Sequence, residues 1–483
     1  MKTDLQSSID AATGTTSMCK HACGKIYKMK KYVIKTLIYI GVFAAAYGMM
    51  LGFLTLSAGI KTESIQEKME ESATYLCEDK VFPYMESEEV KPSCIDRYAD
   101  SILLNIAYNF EPEDKLRSVM ESSYYYTYYQ NENNNLHDTV YNGKKKNQQY
   151  LRYWHGSAGI MRVLHTFLNI KQIYIWHGIL FVILFAVLVF LLVRLHCTIY
   201  AVLLGLSLIA VSFWYVPLSL EYTWAFLCMF VFSIAAVLMT GKGKDEHIGI
   251  LFLLSGMVTI FLDFLTTETV SLMIPLMLAL IIRRKRAADG GLAITGKDKI
   301  GKQTKKPENS NYINYNMKSE IFYSVKASIL WGMGYAGMWV MKWITASIVM
   351  GENVMPYVTE HIEERMAGDL GDLSIFGYLW LSVKRNVTCV FPLDYGLTGA
   401  IIAGVLFVVI LYFVYVYHKK KIDWMFIVLF LVLGLVPYVR ILVMRNHSVL
   451  HYFFVHRALV ISVFAVLVSA VEVMEFRKLK KRK

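Results

Sequence analysis

Charge is missing from long stretches of this chain. Residues 178–193 and 401–416 hold no charged side chain over a length that crosses a bilayer. A spanning helix needs about 20 apolar residues, because backbone groups cannot be left unpaired in lipid. Several such runs, in 483 residues that are 55% hydrophobic, exclude a soluble protein. A cleavable leader is also missing. Residues 1–31 are polar and too long for the basic start of a signal peptide, and the apolar run 33–56 has spanning length with no small-residue cleavage site. We expect a signal anchor there. No internal repeat is visible, which counts against a transporter built from repeated halves.

The net charge of +12 is arranged in blocks between the apolar runs. That is the positive-inside pattern of a membrane protein, so nucleic acid is not the expected partner. The expected fold is an all-α polytopic membrane protein of about ten transmembrane helices, with both termini cytoplasmic and membrane lipids as its surroundings. A basic tail (1–32) precedes span 1 (33–58). A polar segment (59–171) then forms a large extracytoplasmic loop of amphipathic helices. Spans 2–6 occupy 172–282, at roughly 173–193, 197–217, 222–240, 248–265 and 269–282. The last two, joined by a turn from Asp263 to Glu268, are either two helices or a re-entrant pair. A basic cytoplasmic linker (283–320) leads to span 7 (321–350). A second outer segment (351–397), spans 8–10 (398–475) and a basic tail (476–483) complete the chain.

Cysteine is scarce, at seven residues. Cys77 and Cys94 both fall in the first outer loop, where a disulfide would persist; the alternative is two buried thiols. Cys19 and Cys23 flank His21 but lack a second ligand pair, so a metal site there is weakly supported.

Four clusters carry chemistry. Asp96 and Asp100 are four residues apart and share one face if helical. Paired acids serve as a general base or hold a divalent cation, though an exposed acidic helix partnered by Arg97 has the same pattern. Arg152, Tyr153, Trp154, His155 and Gly156, followed by Arg162 and His165, suit either a lipid phosphate or an interfacial anchor. Asp263, Glu268 and Lys342 lie at or near membrane depth. A charge there costs ~2–3 kcal/mol or more unless paired or wet, so each is a functional candidate, with a wet turn or a snorkelling lysine as the plain alternative. Arg445, Asn446, His447, Ser448 and His451, then His456 and Arg457, gather cations on the outer side after Arg440. Phosphate binding is favoured over zinc, which would need a carboxylate from elsewhere.

Acids to deprotonate a hydroxyl and cations to hold a phosphate divide the labour of glycosyl transfer from a lipid-phosphate sugar. The layout resembles the GT-C-type glycosyltransferases, in Asp96-Arg97-Tyr98-Ala99-Asp100, Arg152-Tyr153-Trp154-His155-Gly156, Leu262-Asp263-Phe264-Leu265-Thr266, Gly334-Tyr335 with Trp339 and Lys342-Trp343, and Asn446-His447-Ser448 with His451-Tyr452-Phe453. The resemblance implies a polyprenyl-phosphate-linked sugar as donor and a cell-envelope acceptor on the outer face. It implies Asp96 or Asp100 as catalytic acid. Arg152, His155, Lys342, Arg445, His447, His451 and Arg457 would be the phosphate ligands. In many such enzymes the acid follows span 1 almost directly; here that position holds Lys61-Thr62-Glu63, which makes Glu63 the reserve base. No cofactor is required, and a divalent cation stays open. Two other readings remain. One is a transporter or flippase for a lipid-linked or anionic substrate, with Lys342 and the Arg/His cluster lining its path. The other is a scaffold or sensor that reads its surroundings through 59–171, where Tyr124-Tyr125-Tyr126-Thr127-Tyr128-Tyr129 and an Asn-rich run form a sticky surface or a loop tip.

Overall fold

The computed structural model describes residues 2–290, 316–366 and 373–475, with side chains from residue 29 onward except position 365. The centre of the basic linker, the tail 476–483, and the side chains of Cys19, His21 and Cys23 lie outside the described residues. Helix α1 (Lys2–Ala58) makes up a first unit to Met49, and its last turns belong to a second unit that holds the rest.

The expected loop is a folded helical layer. It contains α2 (Gln66–Cys77), α3 (Arg97–Tyr108), α4 (Lys115–Glu121), α5 (Glu132–Asn142) and α6 (Gly156–Leu164). Ile65, Met69, Leu76, Leu104, Ile106 and Leu136 are wholly buried in it, which supplies the apolar burial that orders a segment of this length. Arg162 is buried and donates to the carbonyls of Ile60 and Ala107, so it ties α6 to the chain entering the layer and to the end of α3. Such pairing is required of a buried guanidinium, and it removes Arg162 from any lipid surface.

Next come α7 (Ile170–Arg194), α8 (Thr198–Ala210), α9 (Leu220–Gly241), α10 (Ile248–Leu262), α11 (Val270–Ala288) and α12 (Met317–Met350). Asn169 and Gln172 form a reciprocal cap that starts α7 at the polar-to-apolar switch. After these come α13 (Met355–Met366), α14 (Ile375–Val387), α15 (Gly396–Tyr417), α16 (Trp424–Gly434), α17 (Val436–Val443), α18 (Arg445–Leu450), α19 (Tyr452–Val455) and α20 (Val460–Val473). No strand occurs among the described residues.

Among the described residues, seven helical stretches are long and apolar enough to cross a membrane: Met29–Ala58, Ile170–Arg194, Leu220–Gly241, Asp245–Leu262, Leu393–Tyr417, Trp424–Val443 and Tyr452–Val473. The other three expected spans are helical but outside that set. Thr198–Ala210 is a shorter apolar helix, while α11 carries Arg283, Arg284, Lys285 and Arg286 at its end. The third is α12. The pair around Asp263–Glu268 is two separate helices, α10 and α11.

Burial separates centre from rim. The apolar windows of α9 and α20 are 67% buried, that of α15 only 6%. Close packing of α10 on α12 depends on two glycines. A Cβ on Gly256 would lie 2.1 Å from the Trp331 carbonyl oxygen, and one on Gly334 2.2 Å from that of Leu253. Small residues at such crossings let backbones approach closely. The contact fixes α12, whose aromatic face builds part of the site.

Candidate functional site

A polar cavity of about 300 Å³ lies where the helical layer meets α9, α13 and α18. Asp96, Tyr98, Tyr150, Arg152, His155 and Glu221 line it, with Glu364, His447 and His451 opposite. Asp96 is the N-cap of α3, accepting from the Ala99 backbone N–H at 2.8 Å. This leaves its second oxygen for another partner, which is the side chain of Glu221 in the first turn of α9. Two carboxyls in hydrogen-bond contact do not both ionise readily, so the pair shares a proton. Burial pushes Asp96 up to about 6, and the neighbouring Asp100 and Glu132 charges act in the same direction.

Asp100 turns the other way. Its Oδ1 accepts from the Leu220 backbone N–H at 2.8 Å and from Ser219 Oγ at 3.0 Å. Its Oδ2 accepts from Tyr174 Oη at 2.5 Å, and Arg97 lies 3.6 Å away. Asp100 therefore caps α9 from a distant part of the chain. The expectation that Asp96 and Asp100 share a face is corrected: Asp96 stands outside the helix as its cap, so helical periodicity does not relate the two.

The cationic side of the cavity is Arg152 and His155. Arg152 donates to Tyr150 Oη at 2.8 Å, and its guanidinium lies 4.4 Å from the Tyr150 ring centre and 5.5 Å from that of Tyr153. Its Nε has no partner among the described residues. His155 is 2% exposed, and neither ring nitrogen completes a hydrogen bond of good geometry with the described residues. Burial, aided by the Lys342 and Arg152 charges, holds it well below the usual histidine range, so the ring is neutral. Its backbone is left-handed, at φ 53°. A non-glycine residue there costs about 1 kcal/mol, which the surrounding rings of Tyr150 and Phe264 must offset.

A second cavity, of about 500 Å³, shares Arg152 and Tyr153 with the first and is otherwise largely apolar. Trp331, Tyr335, Trp339 and Trp343 run along one wall, each four residues from the next on α12, with ring centres 4.8, 5.6 and 5.6 Å apart. Val358 and Ile362 of α13 and Val436, Val439 and Val443 of α17 complete it. Glu268 and Arg440 are the charged pair in this lining, 3.2 Å apart. Arg440 also donates to the Leu265 carbonyl at 2.6 Å and to His447 Nδ1 at 3.3 Å, linking the groove to the polar cavity.

The remaining expected ligands lie elsewhere. Lys342 is buried and donates to the carbonyls of Val119 and Met120, at 3.2 and 2.8 Å, closing the last turn of α4. Cations at helix C-termini answer orphan carbonyls, and this correction takes Lys342 out of the cavity. Arg457 is likewise corrected: it donates to the carbonyls of Phe453 and Pro92 and packs over Tyr222. Arg445 is half-buried and lines neither cavity. Glu63 is exposed in a separate cleft with Lys61 and Glu111. Asp263 accepts from the side chain and backbone of Thr266, shaping the turn before α11. Cys77 and Cys94 are free thiols, not a bridge. Cys77 donates to Asn134 Oδ1 at 2.9 Å, and burial pushes Cys94 up to about 12. Among the described residues, no group of three or more His, Cys, Asp or Glu is placed to hold a metal ion.

The structure thus brings together Asp96, Arg152, His155, His447 and His451. It adds Glu221, Glu364 and the aromatic stripe. Glu221 had a visible signal, an acid in the first turn of an apolar span; the stripe had another, aromatics at 331, 335, 339 and 343. Comparison with family models, curated proteins and solved structures gave no match.

Proposed function

We propose that this chain is a membrane glycosyltransferase of GT-C type that transfers a sugar from a polyprenyl-phosphate donor to a hydroxyl acceptor of the cell envelope. One observation carries the reading: an acid pair, Asp96 and Glu221, lines the same polar cavity as Arg152 and His155, and that cavity shares Arg152 and Tyr153 with an apolar aromatic groove. The polyprenyl chain lies in the groove and its phosphate rests against Arg152. Ionised Asp96 takes the acceptor proton as the acceptor oxygen bonds to the anomeric carbon. The bond from that carbon to the phosphate oxygen breaks, and its electron pair leaves with the phosphate. The buried guanidinium stabilises the charge developing there. Asp100 is a positioning residue that anchors the N-terminus carrying Glu221.

In this reading the chain has ten spans, with Thr198–Ala210, α11 and α12 also in the membrane. Both termini are cytoplasmic, and 59–171 and 351–397 are outside the cell membrane. Cysteines introduced at 130 and 360 then react with impermeant thiol reagents added outside. The transporter reading has Lys342 and the Arg/His cluster line a path, and the bonds of Lys342 to Val119 and Met120 take the first of these away.

The test is turnover of a polyprenyl-phosphate hexose in proteoliposomes, read as release of polyprenyl phosphate in the presence of envelope extract. Asp96→Asn should slow it at least about 100-fold while insertion is normal, and Arg152→Lys about tenfold, since an ammonium cannot replace the forked donor. Full turnover in Asp96→Asn would sink the reading.

A further inference from the structure

The tyrosine run at 124–129 is not used by the chemistry above, yet it begins inside the polar cavity. Tyr124 lines that cavity, and its ring centre lies 6.0 Å from that of Tyr150. From there the chain pairs with residues 147–148. The Tyr124 backbone N–H donates to the Gln148 carbonyl at 2.9 Å, and Tyr126 and Asn147 exchange hydrogen bonds of 2.8 and 2.9 Å. The run then reaches the surface, where Tyr128 is 73% and Tyr129 81% exposed, with ring centres 4.0 Å apart. At the cavity itself, Tyr98 stacks on Phe82 at 5.9 Å and 12°, and both rings are more than a third exposed.

The chemistry of this strip is specific. Residues 124–135 contain five tyrosines, four asparagines, a glutamine and a threonine, and their one charged residue, Glu132, is buried. Asn131, Asn147, Gln148 and Gln149 are exposed beside the rings. Neutral amides and hydroxyls answer hydroxyl groups, and exposed ring faces answer the C–H faces of pyranoses. Tyrosine offers both at low entropic cost. Three lysines, Lys144, Lys145 and Lys146, precede Asn147, but Lys146 is paired with Glu111 and Glu121 and no cation lies within the tyrosine run itself, where a lipid headgroup would call for one; a greasy tail or apolar peptide would call for rings without this density of amides.

We propose that the strip from Tyr98 and Tyr124 to Tyr126, Tyr128 and Tyr129 binds a carbohydrate chain, so that the acceptor is a glycan several sugars long whose end enters the polar cavity. This rests on the glycosyltransferase reading for the meaning of "acceptor", but the binding stands apart from catalysis.

The experiment is saturation-transfer NMR on the full chain in nanodiscs, with hexaoses of β-1,4-glucose, α-1,4-glucose, β-1,3-glucose and β-1,4-N-acetylglucosamine, and with the corresponding monosaccharides. At least one hexaose should receive saturation where its monosaccharide does not. Tyr128→Ala with Tyr129→Ala should weaken that binding about tenfold, because two ring contacts are lost. Both side chains are exposed, so this variant should fold, and Tyr128→Phe with Tyr129→Phe should keep most of the binding. Asp96→Asn should still bind the hexaose, with the same dependence on Tyr128 and Tyr129. A glycan bound by inactive Asp96→Asn separates this proposal from the catalytic one. The proposal is overturned if no hexaose binds, if the double alanine variant binds unchanged, or if an amide-capped peptide or anionic vesicle shows the tyrosine-dependent binding instead.

Discussion

The Leu220 backbone nitrogen lies 2.8 Å from Asp100 Oδ1, so the acid that caps α9 comes from α3, over a hundred residues away in the chain. Ser219, the residue at the cap position, supplies no side-chain cap of its own and instead donates to the same carboxylate. One bond network therefore sets the separation between Asp96, which begins α3, and Glu221, which begins α9.

Asp100 should then behave as a positioning residue. Asp100→Ala strands the Leu220 N–H, the Ser219 hydroxyl and the Tyr174 hydroxyl in a dry site, at a cost on the order of 3 kcal/mol. Asp100→Asn keeps one acceptor for the α9 terminus. It should lower turnover several-fold and move the pH midpoint down, because the Asp100 charge that helps hold Asp96 up is gone, whereas Asp96→Asn should remove the pH-dependent step itself. Equal loss in Asp96→Asn and Asp100→Asn, with both proteins folded, would contradict this division.

Asp96 also makes a stability prediction. Its folded pKa of about 6 lies above the ordinary aspartate value of 3.8. Between these values the folded state holds more protons than the unfolded one, so stability falls as pH rises from about 4 to about 6. Above that window the buried charge costs on the order of 3 kcal/mol. Asp96→Asn removes that cost, so the inactive variant should melt above the wild type at pH 7.5, and the gap should close near pH 4. Wild-type turnover should rise with pH through about 6, as the base ionises. Melting curves of the two proteins at both pH values settle the sign.

The thiols are simpler. Cys77 and Cys94 are unbridged, so neither reducing agent nor Cys77→Ser should shift the melting temperature by more than a degree or so. Mass spectrometry after denaturing alkylation without reductant should find both modified. A mass lower by two hydrogens, with neither thiol alkylated, would restore the disulfide.

Much of this was legible in the sequence, and the failures share a cause. Charge-free runs gave away seven membrane-length helices because spanning is a local property of about 20 residues. Asp96 was legible as one of a pair of acids in the first outer loop. Asp100 was misplaced because spacing relates residues within a helix, and a cap lies outside it. Lys342 and Arg457 looked like charges without partners, yet their partners are the carbonyls of Val119, Met120 and Pro92. Backbone carbonyls leave no trace in composition, so only the tertiary fold identifies them. Glu221 is an acid in the first turn of an apolar span, and only the placement of α3 brings Asp96 beside it.

The aromatic stripe makes the most discriminating prediction. Trp339 and Trp343 stack at 5.6 Å and line the groove, while Arg152 stands between that groove and the polar cavity. If the groove holds the lipid and Arg152 its phosphate, the two should be separable by donor length. Trp339→Ala should raise the KM for a long polyprenyl-phosphate donor about tenfold, the worth of one large ring contact, and leave kcat nearly unchanged. The same variant should handle a donor with a single isoprene unit as the wild type does, because that tail ends before the stripe. Arg152→Lys should slow both donors alike, since both carry the phosphate. The change at Trp339 leaves a void in an open groove rather than in a packed core, so the fold should survive it. Equal impairment of short and long donors by Trp339→Ala would show that the stripe supports the helix α12 and not the lipid.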